Sequence, residues 1–232
     1  MTTVATQVFR LYQYVHDSRR HLLEMLEDRG YDVNHLKNYT QEEMKIMLKQ
    51  HMDGKFNTMH EVGPLDILLE KTTGKNTEKI YVKYKLDEKF KATTSTITQI
   101  TDIYANIIGP KDTLVLLNIS RVLMKVGVKD KVDEDFVNDL YTRKGYFVQL
   151  FGLENFLINI SKHQFVPKHR VLSKQETEDL LDKYKIGTDN IPTIKRDDAQ
   201  AKYIGLRQHQ ICEIIVDNAT SGRTVKYRLC VI

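Results

Sequence analysis

Apolar residues along this chain change period several times, and each change marks an element. From Val4 to Asp28 the positions Val8, Leu11, Tyr12, Val15, Leu22, Leu23 and Leu26 recur at helical spacing, so one face of a long helix is apolar. Arg29-Gly30-Tyr31 stops it, with Gly30 free to take positive φ. Thr40-Gln-Glu-Glu43 reads as a capping box and opens a helix that turns Met44, Met47 and Leu48 inward, ending at Asp53-Gly54. Leu65 to Glu70 and Lys79 to Tyr84 read as paired strands around a polar loop at Thr72 to Asn76. Ile97, Ile100, Ile103, Tyr104, Ile107 and Ile108 then predict an amphipathic helix closed by Gly109-Pro110. Thr113 to Leu117 is a short, continuous apolar run, the pattern of a buried strand. After a basic, irregular stretch, a helix is expected near Glu134 to Tyr141, followed by Tyr146 to Phe151. The order helix, strand, strand, helix, strand predicts an α/β layer arrangement rather than a bundle.

The remainder, Lys162 to Ile232, reads as a second small domain. His163 to Leu172 is expected to be extended, with Pro167 fixing its own backbone. Ser173-Lys-Gln-Glu176 is another capping box; the helix after it places Thr177, Leu180, Leu181 and Tyr184 on one face, and Gly187 suits its left-handed end. Ile191-Pro-Thr-Ile194 is extended again, and Asp198 to Gly205 forms a short turn. A hairpin closes the chain: Gln210 to Val216, a loop Asn218-Ala-Thr-Ser-Gly222, then Thr224 to Ile232. Alternation puts Cys212, Ile214 and Val216 on one face of the first strand, and Val225, Tyr227, Leu229 and Val231 on one face of the second. The domains are therefore drawn at 1–161 and 162–232, and the fold class is α+β.

The motifs of that second segment identify a family resemblance. Phe165-Val-Pro-Lys-His169, Leu180-Leu-Asp-Lys-Tyr-Lys185, Ile191-Pro-Thr-Ile194, Asp198-Ala-Gln-Ala-Lys-Tyr-Ile-Gly205, Gly222-Arg223 and Tyr227-Arg-Leu229 resemble, in order and spacing, the assembly domain of the fifth subunit shared by eukaryotic nuclear RNA polymerases, a family with a small archaeal counterpart. The family usually carries Pro at Ala199, Arg at Lys202, Gly at His209 and a basic residue at Val216. Asp28-Arg-Gly-Tyr31 and the run Tyr146 to Val166 resemble the family's N-terminal jaw domain and its junction; between Lys37 and Lys144 the likeness is weak.

The resemblance implies a non-catalytic subunit of a multisubunit DNA-directed RNA polymerase, with a jaw (1–161) beside downstream DNA and an assembly domain (162–232) docked on the largest subunit. It implies partner contacts at Tyr203, Ile204, Gly205, Arg207 and Arg228. Tyr203 can bury its ring with the hydroxyl bonded, Gly205 can let backbone approach backbone, and the two arginines offer planar donors for carboxylates. Exposed strand edges of the hairpin could take a further strand from the partner. Arg121, Lys125, Lys129 and Lys131 follow the third strand where the family's jaw approaches duplex DNA, so weak, sequence-independent phosphate contact is expected there. The chain would be monomeric within the complex, in the nucleus of a cell or, for a divergent viral enzyme, in the virion or host cytoplasm. The competing reading is a free-standing DNA-binding or adaptor protein on an inactive nuclease-like fold.

Candidate chemistry adds little to that picture. The first two strands resemble the metal-binding hairpin of restriction-type nucleases, which needs an acid on one strand and acid-x-Lys on the next to hold Mg²⁺ against phosphate. Asp66 stands in place, but Lys83-Tyr84-Lys85 puts an ammonium where the second carboxylate belongs, so the hairpin is expected to be degenerate. Thr73-Gly74-Lys75 lacks the earlier glycine and the following hydroxyl of a phosphate loop. The eight histidines have no Cys or acidic partners at metal-ligand spacing, and no nucleophile elbow occurs. No catalytic residue, metal or cofactor is expected in this chain.

Composition is compatible with all of this. The chain has 232 residues, 28% charged and 41% hydrophobic, with a net charge of +4 that is too mild to mark a nucleic-acid binder. Cys212 and Cys230 are expected as reduced, half-buried thiols of an intracellular protein. No apolar signal core opens the chain and no run is long enough to span a bilayer, so the sequons at Asn38, Asn118, Asn159 and Asn218 are expected to stay unmodified.

Overall fold

The first helix, α1 (Thr2–Asp28), ends where Gly30 takes φ of 88°. Tyr31 N–H then reaches back to the Leu26 carbonyl (3.0 Å) and Gly30 N–H to that of Glu27 (2.8 Å), the bond pattern a left-handed closing residue permits. The computed structural model describes residues 2–53, 62–74, 76–86, 92–118, 131–218 and 222–232. They fall into two compact units, 1–158 and 159–232.

In the first unit, α2 (Gln41–Met52) starts from the expected box. Thr40 Oγ1 accepts from Glu43 N–H, and the Glu43 carboxylate accepts from Thr40 N–H at 2.7 Å. Met44 and Leu48 are buried, and Met47 is half-buried. β1 (Ile67–Thr73) and β2 (Asn76–Lys85) pair antiparallel from Ile67↔Val82 to Thr73↔Asn76. The connection is tighter than the polar loop expected: both strands run through it, and Gly74 has φ of 63°. α3 (Thr94–Asn106) is capped by Thr93, whose hydroxyl accepts from Thr96 N–H at 3.3 Å. β3 (Thr113–Asn118), α4 (Lys131–Lys144) and β4 (Phe147–Gly152) complete the sheet, whose order is β1-β2-β3-β4 with β3 parallel to both neighbours.

Central parallel strands are covered on both faces, which is why Leu114 to Leu117 is apolar throughout and Thr113 to Leu117 is buried. Tyr81, Leu114, Leu116 and Val148 share one face and pack on Ile100, Ile103 and Tyr104 of α3 and on Val137 and Leu140 of α4. On the opposite face Arg29, just past α1, donates to Gln149 Oε1 of β4 (2.8 Å), and His21 Nδ1 of α1 donates to the carbonyl of Phe156, in the turn after β4 (2.7 Å). This is the α/β layering read from the sequence.

In the second unit, a 3₁₀ turn (Ile160–Lys162) leads to β5 (Lys168–Val171), α5 (Lys174–Tyr184), β6 (Thr193–Lys195), α6 (Ala199–Tyr203), β7 (Ile211–Asn218) and β8 (Gly222–Val231). The chain from His163 is not extended until Lys168, because Val166 N–H closes a turn on the His163 carbonyl (2.9 Å). The Ser173–Glu176 box forms as expected. The left-handed residue at the end of α5 is Lys185 (φ 52°), not Gly187 (φ −87°). Ile186 N–H reaches the Leu181 carbonyl at 3.2 Å, so the helix closes two residues before the glycine.

The strand order is β5-β7-β8-β6. The hairpin is therefore central: β5 covers β7 from Cys212 to Ile215, and β6 covers β8 from Leu229 to Val231. Register puts Ile211 opposite Leu229 and Cys212 opposite Arg228, so the two apolar sets predicted for the hairpin lie on opposite faces of the sheet. One face, with Ile211 and Leu229, packs on Leu180 of α5. The other, with Cys212 and Cys230, packs on Ala201 of α6 and on Leu206.

Candidate functional site

The β1–β2 hairpin closes around one carboxylate. Asp66 lies one step before β1 and Lys83 one step past Val82, which brings the two face to face. Lys83 Nζ is 2.8 Å from Asp66 Oδ2, and both side chains are withdrawn from solvent. The same oxygen accepts from Tyr81 OH (2.9 Å) and Gly63 N–H (2.7 Å), while Oδ1 accepts from Tyr84 N–H (2.9 Å). A side chain at position 63 would place Cβ 2.7 Å from His51 Nδ1 and 3.2 Å from Asp66 Oδ2, so only glycine fits. Burial and the adjacent carboxylate push the Tyr81 hydroxyl far above its ordinary range. Donors engage both oxygens, and an ammonium sits where a hydrolytic site needs its second acid. A divalent cation here would have to displace a buried ion pair.

On the second unit, α6 is capped by Asp198, whose Oδ1 accepts from Gln200 N–H (2.9 Å) and Ala201 N–H (3.2 Å). Gly205, at φ 69°, closes the helix and lets Leu206 N–H return to the Ala201 carbonyl at 2.9 Å. Ile204 packs against Ala201, Leu206 and the two cysteines, so it belongs to the unit's own core as well as its surface. Tyr203 is half-buried, and its hydroxyl accepts from Asn159 Nδ2 at 3.1 Å. Arg207 begins the turn into β7: its N–H donates to Gln210 Oε1 (2.8 Å) and its carbonyl accepts from Gln210 N–H (3.1 Å). Arg228, half-buried, projects from the same sheet face as Cys212 and Cys230. The candidate residues therefore gather along α6, the turn after it and one row of β8. Burial pushes both thiols up to about 11 and leaves them free and protonated, which removes them from nucleophilic chemistry.

Of the residues predicted near DNA, Arg121, Lys125 and Lys129 lie outside the described residues; Lys131 is the first residue of α4.

One cluster was not read from the sequence. Arg170 on β5 donates to Glu176 Oε1 (2.5 Å) at the start of α5 and to Glu213 Oε2 (3.0 Å) on β7, tying cap, helix and sheet together. The Arg170↔Glu213 register brings the pair together, and only the β5–β7 pairing reveals it. The Ser173 N–H, the Arg170 guanidinium and the Ser173 hydroxyl hold the Glu176 carboxyl down at about 2.

This second unit matches a known family. Residues 158–230 fit the profile described as RNA polymerase Rpb5, C-terminal domain. The C-terminal unit is similar to that Rpb5 domain over nearly its whole length. Over 84 residues the chain is 39% identical to the DNA-directed RNA polymerases I, II, and III subunit rpabc1 of Dictyostelium discoideum, covering 36% of this chain and 43% of that protein. Over 116 residues it is 33% identical to the subunits RPABC1 of Caenorhabditis briggsae and Caenorhabditis elegans, covering 49% of this chain and 54% of each. The matches thus span about half, or less, of those relatives' length.

The Rpb5 resemblance also gives the departure at His209 a physical meaning. His209 takes φ of 64°, a conformation suited to the glycine the family usually has there. Its N–H donates to the Cys230 carbonyl (3.0 Å), and Cys230 N–H donates to that of Gln210 (2.9 Å), so the start of β7 depends on that backbone geometry.

Proposed function

We propose that the chain is a non-catalytic subunit of a multisubunit DNA-directed RNA polymerase, held in the enzyme by its C-terminal unit. The observation that carries this reading is the Rpb5 match over 158–230, which spans nearly the whole of one compact unit. The surface formed by Tyr203, Ile204, Gly205, Arg207 and Arg228 docks on the largest subunit. Its two guanidinium groups meet carboxylates there, and the half-buried Tyr203 ring supplies apolar contact. The first unit serves as the jaw, with the basic stretch Arg121 to Lys131 near downstream duplex DNA. Nucleotidyl transfer belongs to the large subunits, and the Asp66–Lys83 pair is a structural remnant of a metal-binding hairpin. The protein works intracellularly, wherever its polymerase transcribes.

The test is affinity purification of the tagged full chain from its own cells with quantitative mass spectrometry. The two largest polymerase subunits are expected in equimolar amount with the bait. Recovery of the chain alone, or with an unrelated set of proteins, overturns the assignment.

A further inference from the structure

One face of the second sheet is only half covered. Register puts Cys212 opposite Arg228, Ile214 opposite Lys226 and Val216 opposite Thr224, three successive rows of the β7–β8 ladder. Residues two apart on a strand share a face, and cross-strand partners share it with them, so these six side chains form one continuous patch. β5 adds His169 beside Ile214 at its margin. α6 and Leu206 close one end of the face, where Cys212 and Cys230 are fully buried. Beyond that cover the rows open. Ile214, Val216, Thr224 and Arg228 are half-buried, and Lys226 is exposed.

Charge on this face has one sign. Neither Lys226 nor Arg228 has an ion-pair partner among the described residues, and no Asp or Glu stands in the three rows. Glu213 and Asp217 alternate onto the opposite face, where Glu213 holds Arg170. Asp198, which lies near Cys212, is taken up as the cap of α6 by the Gln200 and Ala201 N–H groups. The hairpin tip, residues 219–221, is Ala-Thr-Ser and brings no charge. An aliphatic floor flanked by two uncompensated cations fits carboxylates carried on an apolar chain.

We propose, resting on the polymerase assignment, that the docking surface continues from Arg228 along the open rows to Lys226 and Val216, and that the segment of the largest subunit it takes is acidic. Apolar side chains of that segment cover Ile214 and Val216, while its carboxylates pair with Lys226 and Arg228. Continuity decides the occupant. Arg228 stands between the end closed by α6 and the open rows, so a chain that reaches it from α6 meets Lys226 and Ile214 next. A nucleic acid is disfavoured, because two cations make a short track for a phosphate backbone and the floor between them is aliphatic rather than aromatic.

The test uses the tagged full chain co-expressed with the large polymerase subunits. A photocrosslinking residue, p-benzoylphenylalanine, replaces Thr224 in one sample and Val225 in another; the two are adjacent on β8, and Val225 is exposed on the opposite face. Crosslinks from position 224 to a segment of the largest subunit rich in Asp or Glu are expected, with none to that segment from 225. Lys226→Glu is expected to lower recovery of the large subunits about tenfold, and Lys226→Arg to leave it at the wild-type level. Lys226 is exposed, so its replacement leaves the fold intact, which unreactive Cys212 and Cys230 thiols would confirm. The proposal is overturned if 224 gives no crosslink, if both positions crosslink alike, or if Lys226→Glu recovers the subunits as well as wild type. It is also overturned if the partner crosslinked from 224 lacks acidic residues, or is another subunit, a nucleic acid or a second copy of the chain. Each of those results leaves the polymerase assignment standing. Failure of the wild-type chain to recover large subunits removes that assignment, and this docking surface with it.

Discussion

Lys83 Nζ and Asp66 Oδ2 meet at 2.8 Å inside the first unit, with side-chain exposures of 1% and 0%. The ammonium neutralises the buried carboxylate, which also accepts from Tyr81, Tyr84 and Gly63.

Removing one partner leaves the other charge buried. Lys83→Met is expected to destabilise the first unit by about 3–5 kcal/mol, whereas Asp66→Leu/Lys83→Met should cost well below the sum of the two single changes. Urea unfolding of the three variants measures both. Simple additivity would mean the pair is not coupled. The same geometry predicts no Mg²⁺- or Mn²⁺-dependent nicking of plasmid DNA, and nicking that vanished in Asp66→Ala would restore a hydrolytic role.

Glu176 ties pH to the second unit. Its folded-state carboxyl is held at about 2, below its ordinary value of 4.5, by the Ser173 N–H, Arg170 and the Ser173 hydroxyl. A depressed acid contributes stability that is complete above its unfolded value and fades as pH falls through the folded one. Protection of the α5 amides from hydrogen exchange should therefore decline between about pH 4.5 and pH 2. In Glu176→Gln that part of the decline should be missing. Ser173→Ala, which removes the acceptor of Glu176 N–H, should cost about 1 kcal/mol at neutral pH. An unmoved melting curve would place the helix start elsewhere.

Two side chains sit where glycine belongs. His209 (φ 64°) and Lys185 (φ 52°) occupy the left-handed region, at a cost of about 1–2 kcal/mol each relative to a residue without Cβ, partly offset by glycine's freedom in the unfolded chain. His209→Gly and Lys185→Gly are each expected to stabilise the protein by up to about 1 kcal/mol, read as a raised denaturation midpoint. A lowered midpoint for His209→Gly would show that its ring contributes more than its backbone strain removes.

These positions show where sequence reading reaches and where it stops. Ser173 with Glu176, Thr40 with Glu43, and Gly30 were legible because each acts within a few residues of itself. Lys83 was legible as a wrong residue type in a known spacing. Lys185 was not, because a nearby glycine offered a cheaper closing residue that the chain does not use. Arg170 with Glu213, and the central place of the β7–β8 hairpin, depend on strand order and register, which no local pattern encodes. The short helix and turn around Tyr203 were legible as a motif, Asp198 to Gly205. Its division of labour was not: Tyr203 and Ile204 are both half-buried, but Ile204 packs on the core beside Cys212 and Cys230 while the Tyr203 hydroxyl bonds Asn159.

That division shapes the prediction about incorporation. Arg228 stands opposite Cys212 on β8, and Arg207 opens the turn that leads into β7, so reversing their charge alters the candidate surface without emptying the core. Arg207→Glu/Arg228→Glu, co-expressed as tagged full chain with the large polymerase subunits, should recover those subunits at about tenfold lower yield than wild type, because carboxylates on the partner would face like charge. Folding can be checked in the same sample. Cys212 and Cys230 are buried and their thiols are held up at about 11, so they should stay inert to a disulfide reagent at neutral pH while the second unit is intact. Lost co-purification with protected thiols supports the docking role. Wild-type recovery with protected thiols would move the contact to another face of the unit, and reactive thiols would show that the substitutions act on folding, in which case Arg228→Gln, which removes the charge without reversing it, decides between the two.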